Sequence, residues 1–160
     1  MGVIDNLGKK AETKIRDWLN KPEDGFCFDR LPDQMTGMHG SCNICDFTLY
    51  KFPYFYYIES KATENDRFDF KMITDYQRDN MYEKSKIEGV YGYVIVLFAT
   101  YQRAFIFDIQ HIVAEMGLGT KSVNIKKISK WTIPFREIKT IPSRKVLLDY
   151  DFEDAKEIFN

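Results

Sequence analysis

The chain has 160 residues, of which 44% are hydrophobic, 16% aromatic and 29% charged, with a formal net charge of −1. This composition supports a packed core and excludes disordered, collagen-like and low-complexity chains. The length fits one domain, residues 1–160. The N-terminus is charged where a signal peptide needs an apolar run, and the longest apolar stretch, 93–100, is too short to cross a bilayer. We therefore expect a soluble intracellular protein without a membrane segment.

Hydrophobic periodicity and turn residues predict an α/β chain. Apolar residues recur at helical spacing in four segments, which predicts helices at 6–19, 68–86, 110–115 and 152–159. Runs of β-branched and aromatic residues predict strands at 26–31, 44–50, 54–61, 90–99 and 104–108. The basic segment after Gly117 is expected to be a loop with a short strand at 131–135. The order of these elements predicts a central mixed β-sheet flanked by helices.

The predicted hairpin at 44–61 carries charges inside an otherwise apolar pattern. Asp46 opens its first strand, and Glu59 and Lys61 close the second. Because burying an unpaired carboxylate is costly, such groups are kept where a metal ion or a counter-charge neutralises them. Glu59 and Lys61 project from one face because they are two residues apart. Asp46 joins them only if the hairpin is offset by one residue from symmetric pairing about Pro53, a register that the sequence leaves open.

Two carboxylates and one ammonium at one point suit a hydrated Mg²⁺ ion. Such an ion polarises a phosphodiester and lowers the pKa of a bound water, while a lysine offsets charge on the phosphoryl oxygens. Two other residues have open roles. Glu12, midway along the first predicted helix, either points to this metal or is an ordinary surface glutamate. Gln77, on the mostly apolar side of the predicted helix 68–86, either packs locally or reaches the site.

Basic residues are concentrated near the C-terminus. Between Lys121 and Lys145 there are eight lysines and arginines and one acid, Glu137. This segment is either a solvated basic face or the footprint of a polyanion. On the second interpretation, DNA would contact five basic side chains, namely Lys121, Lys126, Lys127, Lys130 and Arg136.

The cysteines leave a zinc site open as an alternative. Cys42 and Cys45 form a CxxC pair, with Cys27 and His39 upstream, and thiolates and imidazole are the usual zinc ligands. No second pair follows at a familiar spacing, so the spacing favours reduced thiols. A small zinc-binding interaction domain is nevertheless one reading of this chain.

Asp46, twelve intervening residues and then Glu59-x-Lys61 resemble the PD-(D/E)xK nuclease signature, with Cys45 in place of the customary proline. The surrounding motifs are similar in order and spacing to the RecU-type Holliday junction resolvases, from about residue 33 to residue 148. These motifs lie at 45–47, 57–63, 68–70, 76–77, 89–98, 105–108, His111, the lysine-rich loop and 133–134.

The resemblance implies a restriction-endonuclease-like core and a Mg²⁺-dependent homodimer, with Mn²⁺ as a substitute metal. Such enzymes nick branched DNA symmetrically at four-way junctions during recombination and repair, here in the cytoplasm of a bacterial host. It implies that Asp46, Glu59 and Gln77 contact the metal, that Lys61 stabilises the transition state, and that Glu12 is the acidic residue of the N-terminal helix. The segment 28–42 is short for the stalk of the bacterial members, which is typical of a compact phage version.

Two other functions remain open within the same fold. One is a restriction-type or repair-type endonuclease that cuts linear duplex DNA, although no separate sequence-reading module is visible in the chain. The other is a catalytically silent DNA-binding protein, against which the intact Asp46, Glu59 and Lys61 argue.

Overall fold

The structure is a computed structural model that describes residues 3–32 and 42–160. Helices in this part of the chain are α1 (Val3–Leu19), α2 (Asp75–Lys84), α3 (Ile109–Gly117) and α4 (Phe152–Ile158). Strands are β1 (Cys27–Arg30), β2 (Phe47–Lys51), β3 (Tyr54–Thr63), β4 (Arg67–Asp69), β5 (Val90–Phe98), β6 (Arg103–Asp108), β7 (Ser122–Asn124), β8 (Arg136–Glu137), β9 (Thr140–Ile141) and β10 (Asp149–Tyr150). Among the described helices, none has both the length and the apolar character needed to cross a membrane.

The main sheet has six strands in the order β1-β2-β3-β5-β6-β8. Strands β3 and β5 are parallel, and the other neighbours are antiparallel. Two small antiparallel ribbons, β4 with β7 and β9 with β10, stand beside it. The α/β fold with a central mixed sheet and flanking helices is therefore confirmed.

Each face of the sheet packs against a different set of elements. Ala11 and Ile15 of α1 lie in one buried cluster with Ile58 of β3, and α4 belongs to the same cluster. The other cluster joins Val94 and Val96 of β5 to residues of α2, α3, β4 and β7. Since side chains alternate along a strand, β3 sends Ile58 towards α1 and its odd-numbered neighbours towards α2.

The predicted helix at 68–86 is wrong in its first third. Phe68 lies in β4, where it pairs with Val123, and Phe70 begins a 3-10 turn that ends at Met72. Helix α2 begins only at Asp75, because the side chain of Thr74 caps it. Phe70 and Ile73 are buried, and their three-residue spacing continues the hydrophobic pattern of α2 in the sequence.

The hairpin is confirmed, although β2 begins at Phe47 and not at residue 44.

The short strand predicted at 131–135 is wrong. A 3-10 turn covers Ile125–Lys130, and the neighbouring strand β8 begins at Arg136. Trp131 packs its ring against Phe105 and Phe107 in the core, so the chain turns inward here instead of extending along the sheet.

Gly92 of β5 allows α2 and α3 to approach the sheet closely. A Cβ atom at this position would lie 2.7 Å from Cγ2 of Ile109 and 3.3 Å from Cβ of Met81. Because packed interiors do not absorb an added methyl group without strain, only glycine fits this contact. The close packing fixes α2, and with it Gln77, over the face of β3 that carries Glu59.

Candidate active site

The register of the hairpin brings Asp46 alongside Glu59. Phe47 pairs with Ile58, so the next position outward along both strands aligns residue 46 with residue 59. The amide of Asp46 donates to the carbonyl of Ile58 at 3.1 Å. Its side-chain Oδ2 accepts a hydrogen bond of 2.8 Å from the amide of Ser60. The hairpin thus has the one-residue offset that the site requires.

Glu59 is the most deeply buried charged group of this cluster, with its side chain 2% exposed. Its Oε1 receives both neighbouring donors, Nζ of Lys61 at 2.7 Å and Nε2 of Gln77 at 2.9 Å. Its Oε2 is buried and has no hydrogen-bond partner within the described residues. A buried polar atom without a partner costs about 1–3 kcal/mol, and more when it is charged. This carboxylate is therefore satisfied on one oxygen only.

The electrostatics of Glu59 follow from its surroundings. Burial and, to a lesser extent, the nearby charge of Asp46 raise its pKa to about 7, against the opposite effect of the bonds from Lys61 and Gln77. Two carboxylates close together disfavour each other's ionisation unless a cation lies between them. The site therefore has the electrostatic character of a cation-binding site.

Both polar atoms of the Gln77 side-chain amide, Oε1 and Nε2, form hydrogen bonds. Its backbone N donates to Oγ1 of Thr74, and its side-chain Oε1 accepts from the backbone N of Thr74, each at 3.2 Å. These two bonds form a capping box at the start of α2. With Oε1 engaged by Thr74, Nε2 is directed at Glu59. Gln77 therefore orients the carboxylate, and a direct contact between Gln77 and a metal stays a prediction.

Thr74 is the member of this constellation that the sequence reasoning missed. The signal was present as Thr74-x-x-Gln77, the pattern of a helix N-terminus. It was hidden because the predicted helix was begun at residue 68.

Lys61 and Glu12 have different positions relative to Glu59. The side chain of Lys61 is 18% exposed, so its ammonium lies between the buried carboxylate and solvent. Glu12 forms an ion pair of 2.8 Å with Arg30 of β1. Its helix α1 packs on the opposite face of the sheet from Glu59. A role for Glu12 at the metal stays a prediction.

The donor set fits Mg²⁺. In residues 3–32 and 42–160, no three His, Cys, Asp or Glu side chains gather into a metal-binding group, so the protein supplies two carboxylates, Asp46 and Glu59. Mg²⁺ is usually held by one or two carboxylates and keeps several waters. The unpartnered Oε2 of Glu59 provides an oxygen of the required kind.

The cysteines differ from one another in their surroundings. Cys27 and Cys42 are exposed, whereas Cys45 is buried and its Sγ donates to the carbonyl of Phe47 at 3.1 Å. Burial raises the pKa of Cys45 to about 12, which favours the thiol over the thiolate that zinc requires. The fourth expected ligand, His39, lies outside the described residues.

The basic residues expected to contact DNA fall into two groups. Lys126 pairs with Asp66 at 2.7 Å, and Arg136 pairs with Asp154 at 2.6 Å. The remaining three are exposed and have no ion pair within the described part of the chain, namely Lys121, Lys127 and Lys130. Contact of all five with DNA stays a prediction.

Three comparisons with known proteins bear on this site. The family model described as Recombination protein U, RecU, matches residues 39–150. A solved structure of Hjc, a Holliday junction resolvase from Archaeoglobus fulgidus, is 15% identical. The match covers 65% of this chain and 78% of that one, with a TM-score of 0.44. A search among curated proteins gave no significant match.

The capping box predicts a measurable effect of Thr74 on Glu59. Thr74→Ala removes the Oγ1 acceptor, so the N-terminus of α2 loosens and Gln77 loses its fixed orientation. We expect a loss of about 1 kcal/mol in the free energy of unfolding and an upward shift of the pKa of Glu59, because a bond to the charged carboxylate weakens. Denaturant unfolding and carboxyl-carbon NMR titration measure the two effects. Thr74→Ser, which keeps the hydroxyl, should restore both, and an unchanged Glu59 titration in the alanine variant would contradict the positioning role.

The raised pKa of Glu59 predicts how stability changes with pH in metal-free protein. The folded state binds this proton more tightly than the unfolded state, so its stabilising effect is complete below pH 4.5 and is lost as pH rises through about 7. The free energy of unfolding of the wild type, measured relative to Glu59→Gln, should fall by up to about 3 kcal/mol as the pH rises across this range, because glutamine does not titrate.

Urea unfolding at a series of pH values, in the presence of chelator, measures this difference. Glu88→Gln changes the same charge at an exposed position and should follow the wild-type pH course. Parallel curves for wild type and Glu59→Gln would show that Glu59 has an ordinary pKa.

Proposed function

The chain belongs to the RecU family of Holliday junction resolvases, and from this membership we propose that it is a Mg²⁺-dependent endonuclease that nicks four-way DNA junctions symmetrically. The observation that carries the proposal is the buried Oε2 of Glu59, which lacks a hydrogen-bond partner in the described residues although Oε1 has two. A buried carboxylate arranged in this way is expensive in a purely structural role and useful in a metal site.

Asp46 and Glu59 are the proposed metal ligands, and Gln77 is the further contact expected from the family resemblance. When bound there, Mg²⁺ polarises a phosphodiester and lowers the pKa of a water; Mn²⁺ has the same preference for oxygen ligands. The chain itself fixes both carboxylates before the ion arrives. The amide of Ser60 holds Asp46, and Lys61 and Gln77 hold Oε1 of Glu59, so that Oε2 remains available.

Lys61 is the proposed stabiliser of the transition state. Its ammonium is anchored by Glu59 and is partly open to solvent, the direction from which a DNA phosphate approaches. A positive charge already held in place stabilises negative charge on the phosphoryl oxygens without reorganisation. This arrangement supports a hydrolytic role over a purely binding one.

Symmetric nicking requires two active sites that face opposite strands. Each chain supplies one Asp46–Glu59–Lys61 group, so we propose a homodimer with a twofold axis, the commonest symmetry of soluble oligomers. A bacterial cell keeps its DNA in the cytoplasm, which is accordingly the compartment that we propose.

The decisive assay offers the protein a mobile four-way junction and a linear duplex of the same sequence, each with Mg²⁺ or with chelator. We expect paired nicks at symmetric positions in the junction only, and only with Mg²⁺. Asp46→Asn and Glu59→Gln should reduce the cleavage rate roughly a hundredfold or more while junction binding persists, because each replaces a proposed metal-binding carboxylate with a neutral amide and so weakens the binding of Mg²⁺.

The control is Glu88→Gln, an exposed substitution with the same change of charge, which should cleave at the wild-type rate. Sequence-dependent cutting of the linear duplex would replace the proposal with a restriction-type enzyme. Junction binding without cutting in any divalent metal would identify a silent DNA-binding protein.

A further inference from the structure

A polar cleft lies beside the β4–β7 ribbon, apart from the Asp46–Glu59–Lys61 group. It has a volume of 270 Å³ and is bounded by β4, β7, the end of α3 and the segment 127–133. Three of its lining residues are cations, namely Arg67, Lys127 and Lys130. Arg67 was not among the DNA-contacting residues predicted from the sequence.

Among the described residues, the positive charge of this cleft is only partly compensated. Arg67, Lys127 and Lys130 are exposed and form no ion pair with any described residue. One carboxylate, that of Glu115, also lines the cleft. Its Oε2 accepts from the hydroxyls of Thr120 at 2.8 Å and Thr132 at 3.3 Å. Three cations and one hydroxyl-bonded carboxylate leave a net positive cleft that suits an anion.

Strand pairing and hydrogen bonds hold the backbone that carries these cations. Arg67 pairs with Asn124 across the ribbon, and the carbonyl of Asn124 accepts from Nε1 of Trp131 at 2.9 Å. Lys127 lies in the 3-10 turn whose start is capped by the side chain of Asn124. Beneath the cleft, Val123 is buried in the core. Because the backbone is fixed before binding, less conformational entropy is lost when the cations meet a ligand.

The cleft lies within reach of the active site along the substrate. The ribbon packs on the face of the main sheet from which Glu59 and Lys61 project. Arg67 is six positions after Lys61 in the chain, so their Cα atoms are at most about 22 Å apart. At about 3.4 Å of axial rise per nucleotide, this distance corresponds to about six nucleotides of one strand.

We propose that the Arg67–Lys127–Lys130 cleft binds backbone phosphates of the substrate DNA within about six nucleotides of the cleaved bond. The inference rests on the proposed nuclease function and refines it. A guanidinium binds phosphate through two parallel hydrogen bonds, and the two lysines add point charges. Within the basic segment, Lys127 and Lys130 therefore supply affinity for DNA, whereas Lys126 and Arg136 act mainly in the ion pairs that they form inside the protein.

The test measures binding of a fluorescein-labelled four-way junction by anisotropy, in chelator, over a range of salt concentrations. Each lost phosphate contact lowers the slope of log K against log salt by about 0.9. We expect Lys127→Ala with Lys130→Ala to weaken binding about tenfold or more and to reduce the slope by about 2, and Arg67→Ala to reduce it by about 1. Arg67→Lys, which keeps the charge, should retain most of the slope.

The matched control is Lys21→Ala with Lys156→Ala, which removes the same charge near the ring of Phe152 on the α1 side of the sheet. It should leave the slope unchanged. The proposed DNA-binding role of the cleft is overturned if the Lys127 and Lys130 double variant has the same junction affinity and salt slope as this control. Circular dichroism checks that the variant is folded.

Cleavage separates failure of the cleft from failure of the nuclease. Cleft-dependent binding without cleavage by the wild type would refute the nuclease and keep the cleft. Cleavage by the wild type, together with an unchanged salt slope in the double variant, would refute the role of the cleft and keep the nuclease function.

Discussion

The carboxylate of Glu59 is the group on which the rest of this site depends. It is buried, its pKa is raised to about 7, and its two oxygens differ in their hydrogen-bonding partners. Lys61 and Gln77 both bond to Oε1, and Oε2 has no partner within the described residues. An enclosed charge is retained at a free-energy cost, and a bound divalent cation would remove that cost by supplying the missing positive charge. The expected cost of the metal-free site and its proposed affinity for a cation thus have the same physical origin.

The fold creates this arrangement through an asymmetry between the two faces of one strand. Even-numbered residues of β3, such as Ile58, pack against α1 in an apolar cluster, and Glu59 and Lys61 project to the other side. There, Gly92 lets α2 approach the sheet, and the capping box at its start directs the amide of Gln77 to Glu59. The β4–β7 ribbon covers the same face and adds a cationic cleft beside it. The carboxylates that we propose as metal ligands and the cations that we propose as phosphate-binding groups therefore lie on one side of the sheet.

The sequence predicts what is local and leaves open what depends on long-range pairing. The hairpin and the triplet Asp46, Glu59 and Lys61 were visible because two-residue alternation and a short turn determine them. The start of α2 was misplaced because Phe70 and Ile73, which are buried in and just after the 3-10 turn before this helix, continue its hydrophobic spacing. The cleft was missed because Arg67 meets the basic segment only through the pairing of β4 with β7, across more than fifty residues. Likewise, the eight cations of that segment look equivalent until four of them are seen to form ion pairs within the protein, namely Lys126, Arg136, Lys139 and Lys145.

Anomalous diffraction from crystals soaked in Mn²⁺ tests the central claim most directly, because it locates the ion without reference to activity. The claim predicts an anomalous peak for a Mn²⁺ ion that is coordinated by Oε2 of Glu59 and by a carboxylate oxygen of Asp46. The hydrogen bonds of Lys61 and Gln77 to Oε1 should be retained. At saturating Mn²⁺, a peak elsewhere in the protein combined with an Oε2 that binds no ion would contradict it.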